Sequence, residues 1–294
     1  MAKAAQRIAS EELTDEDDVR PPLVPGAPKA VSPLVRRIVA PNPGPMTQFG
    51  TNTYLVGIDE VAVVDPGPMV DTHVDAIIGA AMRERIRWVL CTHTHPDHAA
   101  AAAALARATG AELLAVAKKD PVVTPDRVLR AGDTIDGTEF RLEVVLTPGH
   151  APNHVCFLLE EERLLLSGDT ILEGTTSVIS PKLGGDMVAY LDSLQRLRRE
   201  RPRRIAPGHG YVIDDAVGTI DRYLAHRAER ESEILAFLGD GPAKIGDVVA
   251  ALYPDVHPEL VDAAHEQVHA HLLKLRAEGL VEGRAVRSAW RAAA

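Results

Sequence analysis

The side chains best suited to chemistry lie in the segment THTHPDH, residues 92–98, which follows the apolar run RWVLC. It holds three imidazoles and one carboxylate, from His93, His95, Asp97 and His98. Alternate residues of an extended segment point the same way, so we expect His93 and His95 to bind one cation together. Asp97 and His98 lie beyond the turn and are expected to face a neighbouring position. Imidazole and carboxylate ligands suit Zn²⁺, with Mn²⁺ or Fe²⁺ as alternatives.

Three later segments place a further metal-binding residue type just past a predicted strand. They are TPGH with His150, SGDT with Asp169, and PGHG with His209. Loops at strand ends are where a rigid scaffold presents functional groups, and the glycines beside these residues allow close approach of the backbone. Together with THTHPDH they provide five histidines and two aspartates, which suffice for two metal ions.

The elements that must position these residues are short apolar strands alternating with helices. Patterns of apolar residues predict helices over about 70–85, 98–109, 187–200 and 215–238. The runs between them, such as EVAVVDPG, FRLEVVLT and HVCFLLE, are typical of strands buried on both faces. This alternation predicts sheets packed together with helices outside, an α+β fold.

The two ends of the chain differ from this central part. Residues 1–30 combine an acidic run with a proline cluster, which predicts a disordered or loosely packed tail. Residues 31–232 form the predicted catalytic domain. Residues 233–294 show the helix, turn, helix and hairpin order of a winged-helix unit. Acidic residues outnumber basic ones there, so we expect packing or homodimer formation rather than base readout.

Composition limits the partners and the compartment. The formal net charge of −10 repels nucleic acid backbones, so an RNA substrate would need local basic groups or bound metal. No apolar stretch of about eighteen residues occurs, so we expect no membrane contact. Cys91 and Cys156 lie in apolar runs and are interpreted as buried thiols, which fits a reducing compartment. With no signal-peptide pattern at the N-terminus, the expected location is cytoplasmic.

The motif HTHPDH, followed by His150, Asp169 and His209 in this spacing, resembles the metallo-β-lactamase superfamily over about residues 52–238. The resemblance implies an αββα sandwich with metal ions at one edge between the two sheets. It also implies how the ligands divide between two Zn²⁺ ions. One site takes His93, His95 and His150, the other takes Asp97, His98 and His209, and Asp169 bridges them.

The segments SGDTILEGTT, PGHG and AHRAERESEIL are similar to one branch in particular, the β-lactamase-like proteins related to a mitochondrial endoribonuclease. That branch also carries a C-terminal winged-helix-like domain. The resemblance implies a hydrolase in which a hydroxide bridging two zinc ions attacks a carbonyl or phosphoryl centre. Single-stranded RNA is one candidate substrate, and a small-molecule ester, thioester or lactone, as in glyoxalase II-like members, is the other. A non-catalytic metal-binding interaction protein is the alternative from a different class.

Further roles follow from the same resemblance. Asp97 is the expected catalytic residue, because it lies close to the attacking water and can pass a proton to the leaving group. Asp65, at the end of EVAVVDPG, is expected to orient the ligands through hydrogen bonds. Thr175, Thr176 and Ser177 form a polar loop after Asp169 and are expected to border the substrate groove.

The remaining histidines need separate interpretation. Residues 265–269, HEQVH, match HExxH, the pattern of a zinc protease helix. However, His265 flanks an apolar stripe, and we interpret it as a residue at the boundary of the core-facing side of the helix. His154 is interpreted as a structural hydrogen-bonding residue. For the helix carrying His226 and Arg227, a pocket lining and a solvated face both remain open. The histidines without a partner pattern are predicted at the surface: His73, His257 and His271.

Overall fold

A computed structural model describes residues 20–117 and 120–293. Most of the predicted tail, residues 1–19, lies outside the described residues. The rest of that segment reaches the domain, where the Gly26 backbone N–H donates to the Val39 carbonyl over 2.9 Å. Strand β1 (Lys29–Ala30) then pairs antiparallel with β2 (Val35–Val39). The end of the predicted tail therefore joins the edge of a sheet.

The first sheet contains seven strands in chain order. After β1 and β2 they are β3 (Asn52–Val56), β4 (Glu60–Val64), β5 (Arg85–Leu90), β6 (Glu112–Ala115) and β7 (Arg127–Val128). Pairing is antiparallel as far as β4 and parallel from β4 onward. The carboxyl ends of the parallel strands therefore lie along one edge, where the loops after β4 and β5 meet.

The second sheet has five strands in the order β12-β11-β10-β9-β8. They are β8 (Thr134–Asp136), β9 (Arg141–Leu146), β10 (Val155–Leu159), β11 (Leu164–Gly168) and β12 (Arg204–Pro207). Only β11 and β12 run parallel, so the loops that follow these two strands leave from the same edge.

The strands alternate between two apolar layers, which explains their continuous apolar sequences. In β3, Tyr54 and Val56 pack between the sheets, while Leu55 faces the helices outside the first sheet. In β10, Phe157 packs between the sheets, and Leu158 faces the helices outside the second sheet. The outer helices are α1 (Asp71–Ala80), α2 (Pro96–Ala99), α3 (Ala102–Thr109), α4 (Met187–Glu200) and α5 (Ala216–Gly239). The predicted αββα sandwich is confirmed.

A separate apolar cluster forms the core of the C-terminal unit. It joins the end of α5 to α6 (Ile245–Leu252), α7 (Val261–Ala277), β13 (Val281–Glu282) and β14 (Arg291–Ala292). Helix α7 also packs against α4 of the catalytic unit. Because α5 runs unbroken through 232/233, the predicted domain boundary falls inside a helix. A membrane span would require a long, continuously apolar helix, and no helix in the described part of the chain meets that requirement.

Burial confirms one interpretation from the sequence and corrects another. Cys91 and Cys156 are both buried free thiols, as predicted. His257 is exposed, but His73 and His271 are 1% and 0% exposed, so their predicted surface positions were wrong. The His73 Nε2 atom lies 2.8 Å from the Oγ1 atom of Thr53, which belongs to β3. The His271 Nδ1 atom lies 3.2 Å from Glu231 Oε1 of α5. Burial of a helical histidine depends on which element packs over it, and its own segment does not show this.

Candidate metal centre

Loops at the ends of four strands bring the predicted ligands together. His93 and His95 follow β5, and Pro96 then begins α2, which carries Asp97 and His98 in one turn. His150, Asp169 and His209 follow β9, β11 and β12 respectively. The seven side chains form three overlapping groups in which potential ligand atoms lie within 4.8 Å of one another. The convergence expected from the sequence is therefore present.

The first group consists of His93, His95 and His150. The His93 Nε2 and His95 Nδ1 atoms are 2.9 Å apart, and His150 Nε2 lies 3.1 Å from the same His95 nitrogen. Three imidazole nitrogens thus face a common point, which is the donor set of a histidine-rich zinc site.

The second group consists of Asp97, His98 and His209. The Nε2 atoms of the two histidines are 3.3 Å apart. Asp97 Oδ2 lies 3.6 Å from His98 Nε2 and 3.5 Å from His209 Nε2. The Asp97 side chain is 31% exposed, whereas both imidazoles are almost completely buried, so the carboxylate is on the open side of this group.

Asp169 lies between the two groups. Its Oδ1 atom is 3.2 Å from His98 Nε2 and 3.4 Å from His209 Nε2, and its Oδ2 atom is 3.6 Å from His150 Nε2. One carboxylate oxygen therefore faces each group, the arrangement required of a bridging ligand.

The residues present fit a pair of divalent cations. Asp169 Oδ1 is buried, and although His98 Nε2 and His209 Nε2 are near, it has no hydrogen bond of acceptable geometry among the described residues, which is unfavourable for a buried oxygen. A Cβ atom built on Gly208 would lie 2.5 Å from this oxygen and 2.7 Å from His98 Cε1. The backbone thus approaches the ligands as closely as a glycine allows. Imidazole and carboxylate donors in this number match zinc, manganese or iron.

Burial keeps the first group neutral. It lowers the pKa of His95 to about 4 and holds the pKa of His93 well below its usual range. Burial also lowers the pKa of His150, despite the opposing charge of Asp169. Neutral imidazoles keep the lone pairs that bind metal, so these three side chains are in the binding form at pH 7.

The second group attracts positive charge. Burial alone would lower the pKa of His98, but nearby carboxylates, led by Asp169, raise it well above its usual range. Burial also opposes the raised pKa of His209, which Asp169 and Asp97 bring to about 9. The pKa of Asp169 lies well below its usual range, because His98 and His209 outweigh the effect of burial. This group therefore has the electrostatics that favour a cation between its carboxylates.

Asp65 holds part of the centre in place. Its Oδ1 atom accepts from the Thr92 backbone N–H over 2.7 Å, and its Oδ2 atom accepts from Thr92 Oγ1 over 2.8 Å. Oδ2 also lies 2.9 Å from His98 Nδ1. Asp65 adopts a φ of 52°, an uncommon conformation for a residue with a side chain. These contacts place it where a residue that orients His98 must be.

His154 has the structural role expected of it. The Asp169 backbone N–H donates to His154 Nε2 over 3.2 Å. The Nδ1 atom lies 2.9 Å from Thr147 Oγ1 and 3.1 Å from Thr170 Oγ1. With both ring nitrogens engaged, His154 supports Asp169 instead of pointing into the centre.

The segment that carries the predicted substrate residues also touches the ligands. Thr175 is exposed and Thr176 half-buried. Ser177 Oγ donates to the Asp169 carbonyl over 2.5 Å, and Val178 accepts from His150 Nδ1 over 2.8 Å. A hydrogen bond to the metal ligands was predicted for neither Ser177 nor Val178, because a serine and a valine carry no signal of such a role in the sequence. The HExxH histidines belong to none of the metal-capable groups found among the described residues.

Comparison with known proteins agrees with this geometry. A family model described as "Metallo-beta-lactamase superfamily" matches residues 46–209, and one described as "Beta-lactamase associated winged helix domain" matches residues 245–290. The chain belongs to the metallo-β-lactamase superfamily. Its C-terminal unit is the winged-helix domain associated with this superfamily, as the sequence predicted.

Individual relatives cover most of the chain. "Beta-lactamase-like protein 2 homolog" of Caenorhabditis elegans is 35% identical over 267 residues, which are 86% of this chain and 87% of that protein. "Atrochrysone carboxyl ACP thioesterase dmxR1" of Cryptosporiopsis sp. is 32% identical over 216 residues, 71% of this chain and 64% of that protein. The crystal structure of a metallo-beta-lactamase family protein from Thermus thermophilus has a TM-score of 0.75 at 25% identity, covering 90% of this chain and all of that one. The chain is thus a hydrolase of this superfamily.

Proposed function

We propose that this hydrolase cleaves a thioester of a small or carrier-bound acyl group, using two Zn²⁺ ions held by the seven ligands. The observation that supports the substrate class is a pair of exposed apolar side chains in segments that contact the metal ligands. Phe49 and Met69 are 40% and 52% exposed. Phe49 precedes Gly50, whose carbonyl lies 3.2 Å from His209 Nδ1. Met69 lies two residues after Gly67, which donates its backbone N–H to the His98 carbonyl. Exposed apolar side chains in this position suit the binding of an acyl chain.

Bound at these ligands, the metal pair would supply a Lewis acid and a water that is acidic near neutral pH. Asp97 has the open position and the charge to handle the proton. Its pKa is lowered, because His98 and His209 outweigh the effect of burial, so its carboxylate is ionised at pH 7. The carboxylate can accept a proton from the attacking water and return it to the leaving thiolate.

Charge and likeness both favour a thioester over RNA. The net charge of −10 opposes a polyanion. A relative 32% identical to this chain is named an acyl carrier protein thioesterase.

One observation favours single-stranded RNA as a second candidate. Phe49 and Tyr211 meet edge to face with ring centroids 5.4 Å apart, and the Arg20 guanidinium lies 4.2 Å from the Tyr211 centroid. Aromatic rings beside a cation can stack on bases.

The test compares acyl thioesters with single-stranded RNA, using Zn²⁺-, Mn²⁺- and Fe²⁺-loaded enzyme and the Asp97→Ala variant. We expect thioester turnover, highest with Zn²⁺, and a loss of about 100-fold or more in kcat for Asp97→Ala. Asp71→Ala is the matched control, because Asp71 is an acidic residue in the first turn of α1 as Asp97 is in α2. It should retain full activity.

Each contrary result points to a definite alternative. RNA cleavage that is lost in Asp97→Ala, without thioester turnover, would replace the thioesterase proposal with the nuclease. Absence of bound metal together with absence of turnover would support the non-catalytic interaction protein. Metal analysis of the purified protein should give about two ions per chain.

A further inference from the structure

The residues 173–180, here called the rim segment, connect the metal centre to two distant helices. On the side of the centre, Ser177 Oγ donates to the Asp169 carbonyl and lies 3.3 Å from His150 Nδ1. The Val178 carbonyl accepts from the same His150 nitrogen over 2.8 Å. This bond leaves His150 Nε2 as the nitrogen that faces the centre, so the rim segment determines which way this ligand is presented.

Helix α5 holds the rim segment through Arg227. The Arg227 Nη2 atom donates to the Ser177 carbonyl over 2.5 Å, and the guanidinium carbon lies 5.3 Å from the Tyr190 ring centroid. Arg227 is 1% exposed, which excludes the solvated face, one of the two alternatives that the sequence left open for this position.

The main polar contact of the buried Arg227 charge is a backbone carbonyl, that of Ser177. Arg227 forms no ion pair with a carboxylate among the described residues, and its Nε atom has no hydrogen-bond partner there. Burying a guanidinium without a counter-ion is unfavourable, because the charge loses its hydration. Its strongest contact is therefore the charge-assisted hydrogen bond to Ser177, a bond about twice as strong as one between neutral groups.

Helix α7 of the winged-helix unit holds the same segment from the other direction. The Ile179 backbone N–H donates to Gln267 Oε1 over 2.9 Å, and Gln267 is 7% exposed. Ser180 Oγ donates to Glu266 Oε2 over 2.8 Å. Glu266 and Gln267 belong to the HExxH pattern, and their contacts give that pattern a role unrelated to metal binding.

We propose that Arg227 and Gln267 are positioning residues for the metal centre, acting through the rim segment on His150 and Asp169. The winged-helix unit is then a structural part of the active site. This inference rests on the proposed metal site. The inference adds that two residues remote from the metal ligands determine how tightly those ligands bind the metal ions.

The test measures Zn²⁺ affinity by competition with a chelating dye, and the visible absorption of the Co²⁺-loaded protein. Arg227→Met should weaken binding of one of the two ions by about 10- to 100-fold, the effect typical of losing an outer partner of a ligand. Arg230→Met is the matched control. Arg230 lies one turn further along α5, stacks 4.3 Å from the Tyr253 centroid and donates to a carbonyl, but that carbonyl belongs to Leu252 in the winged-helix unit. It should bind both ions as the wild type does.

A second pair of variants tests the arm from α7. Gln267→Met removes the acceptor for the Ile179 N–H and should lower affinity and alter the Co²⁺ spectrum, whereas Gln267→Glu keeps an acceptor and should restore both. Wild-type affinity and spectrum in Arg227→Met and Gln267→Met would overturn the inference. If Arg227→Met does not fold, the Gln267 pair decides. A wild-type protein that binds no metal would instead overturn the proposed site itself.

Discussion

At the scale of the residue, Asp65 illustrates how a side chain that is not a ligand can control one. Its carboxylate engages Thr92 twice and His98 once, and all three residues are almost completely buried. Its charge also contributes to the raised pKa of His98. Removing that charge while keeping the shape therefore tests the combined effect of Asp65 on the orientation and the charge of His98.

Asp65→Asn should reduce metal affinity by about 10- to 100-fold, because the amide cannot accept from Thr92 and His98 in the same way. The measurement is the metal content retained after dialysis against a graded series of chelator concentrations. Asp126→Asn serves as control, since Asp126 also accepts a backbone N–H, that of Leu113, over 2.9 Å, but touches no ligand. Equal retention by both variants would show that Asp65 does not orient His98.

At the scale of the element, the close approach of β11 and β12 to the ligands makes a further prediction. Gly208→Ala would place a Cβ atom 2.5 Å from Asp169 Oδ1 and 2.7 Å from His98 Cε1, so the bridging carboxylate must move. We expect loss of the second metal ion and of most activity. Gly79→Ala is the matched control, because a Cβ on this exposed residue of α1 meets nothing within 4 Å.

Thermal unfolding and metal analysis separate these two glycines. Gly79→Ala should keep both ions and gain about 0.5–1 kcal/mol of stability, as alanine does over glycine within a helix. A Gly208→Ala protein with two ions and wild-type activity would show that the backbone approach is not needed.

The elements also explain how much the sequence could predict. The metal-binding residue types directly follow strands, and the parallel pairing of β4 with β5 and of β11 with β12 directs those loops to one edge. That convergence was predictable from local patterns. Arg227 and Gln267 were not, because their partners lie 50 and 88 residues away and depend on how α5 and α7 pack. An arginine on an amphipathic helix looks the same in sequence whether solvent or a loop covers it.

At the scale of the whole molecule, the winged-helix unit is joined to α5 through a buried polar contact. His271 of α7 is 0% exposed, and its Nδ1 atom lies 3.2 Å from Glu231 Oε1 of α5. Glu231 also accepts from Lys274 Nζ over 2.8 Å. Burial lowers the pKa of His271 to about 4, against the opposing effect of Glu231, while Arg227 and Arg230 add to the lowering.

This contact makes the stability of the folded chain depend on pH. Between pH 6.5 and 4 the unfolded chain protonates residue 271 and the folded chain does not, so the free energy of unfolding falls as pH falls. Linkage gives a loss of about 2 kcal/mol from this residue between pH 7.5 and 5. His271→Gln keeps a donor for Glu231 but does not titrate, so its loss should be smaller by that amount. Urea unfolding of both proteins at the two pH values, with chelator present, measures the difference. Parallel losses would mean that His271 is protonated in the folded chain.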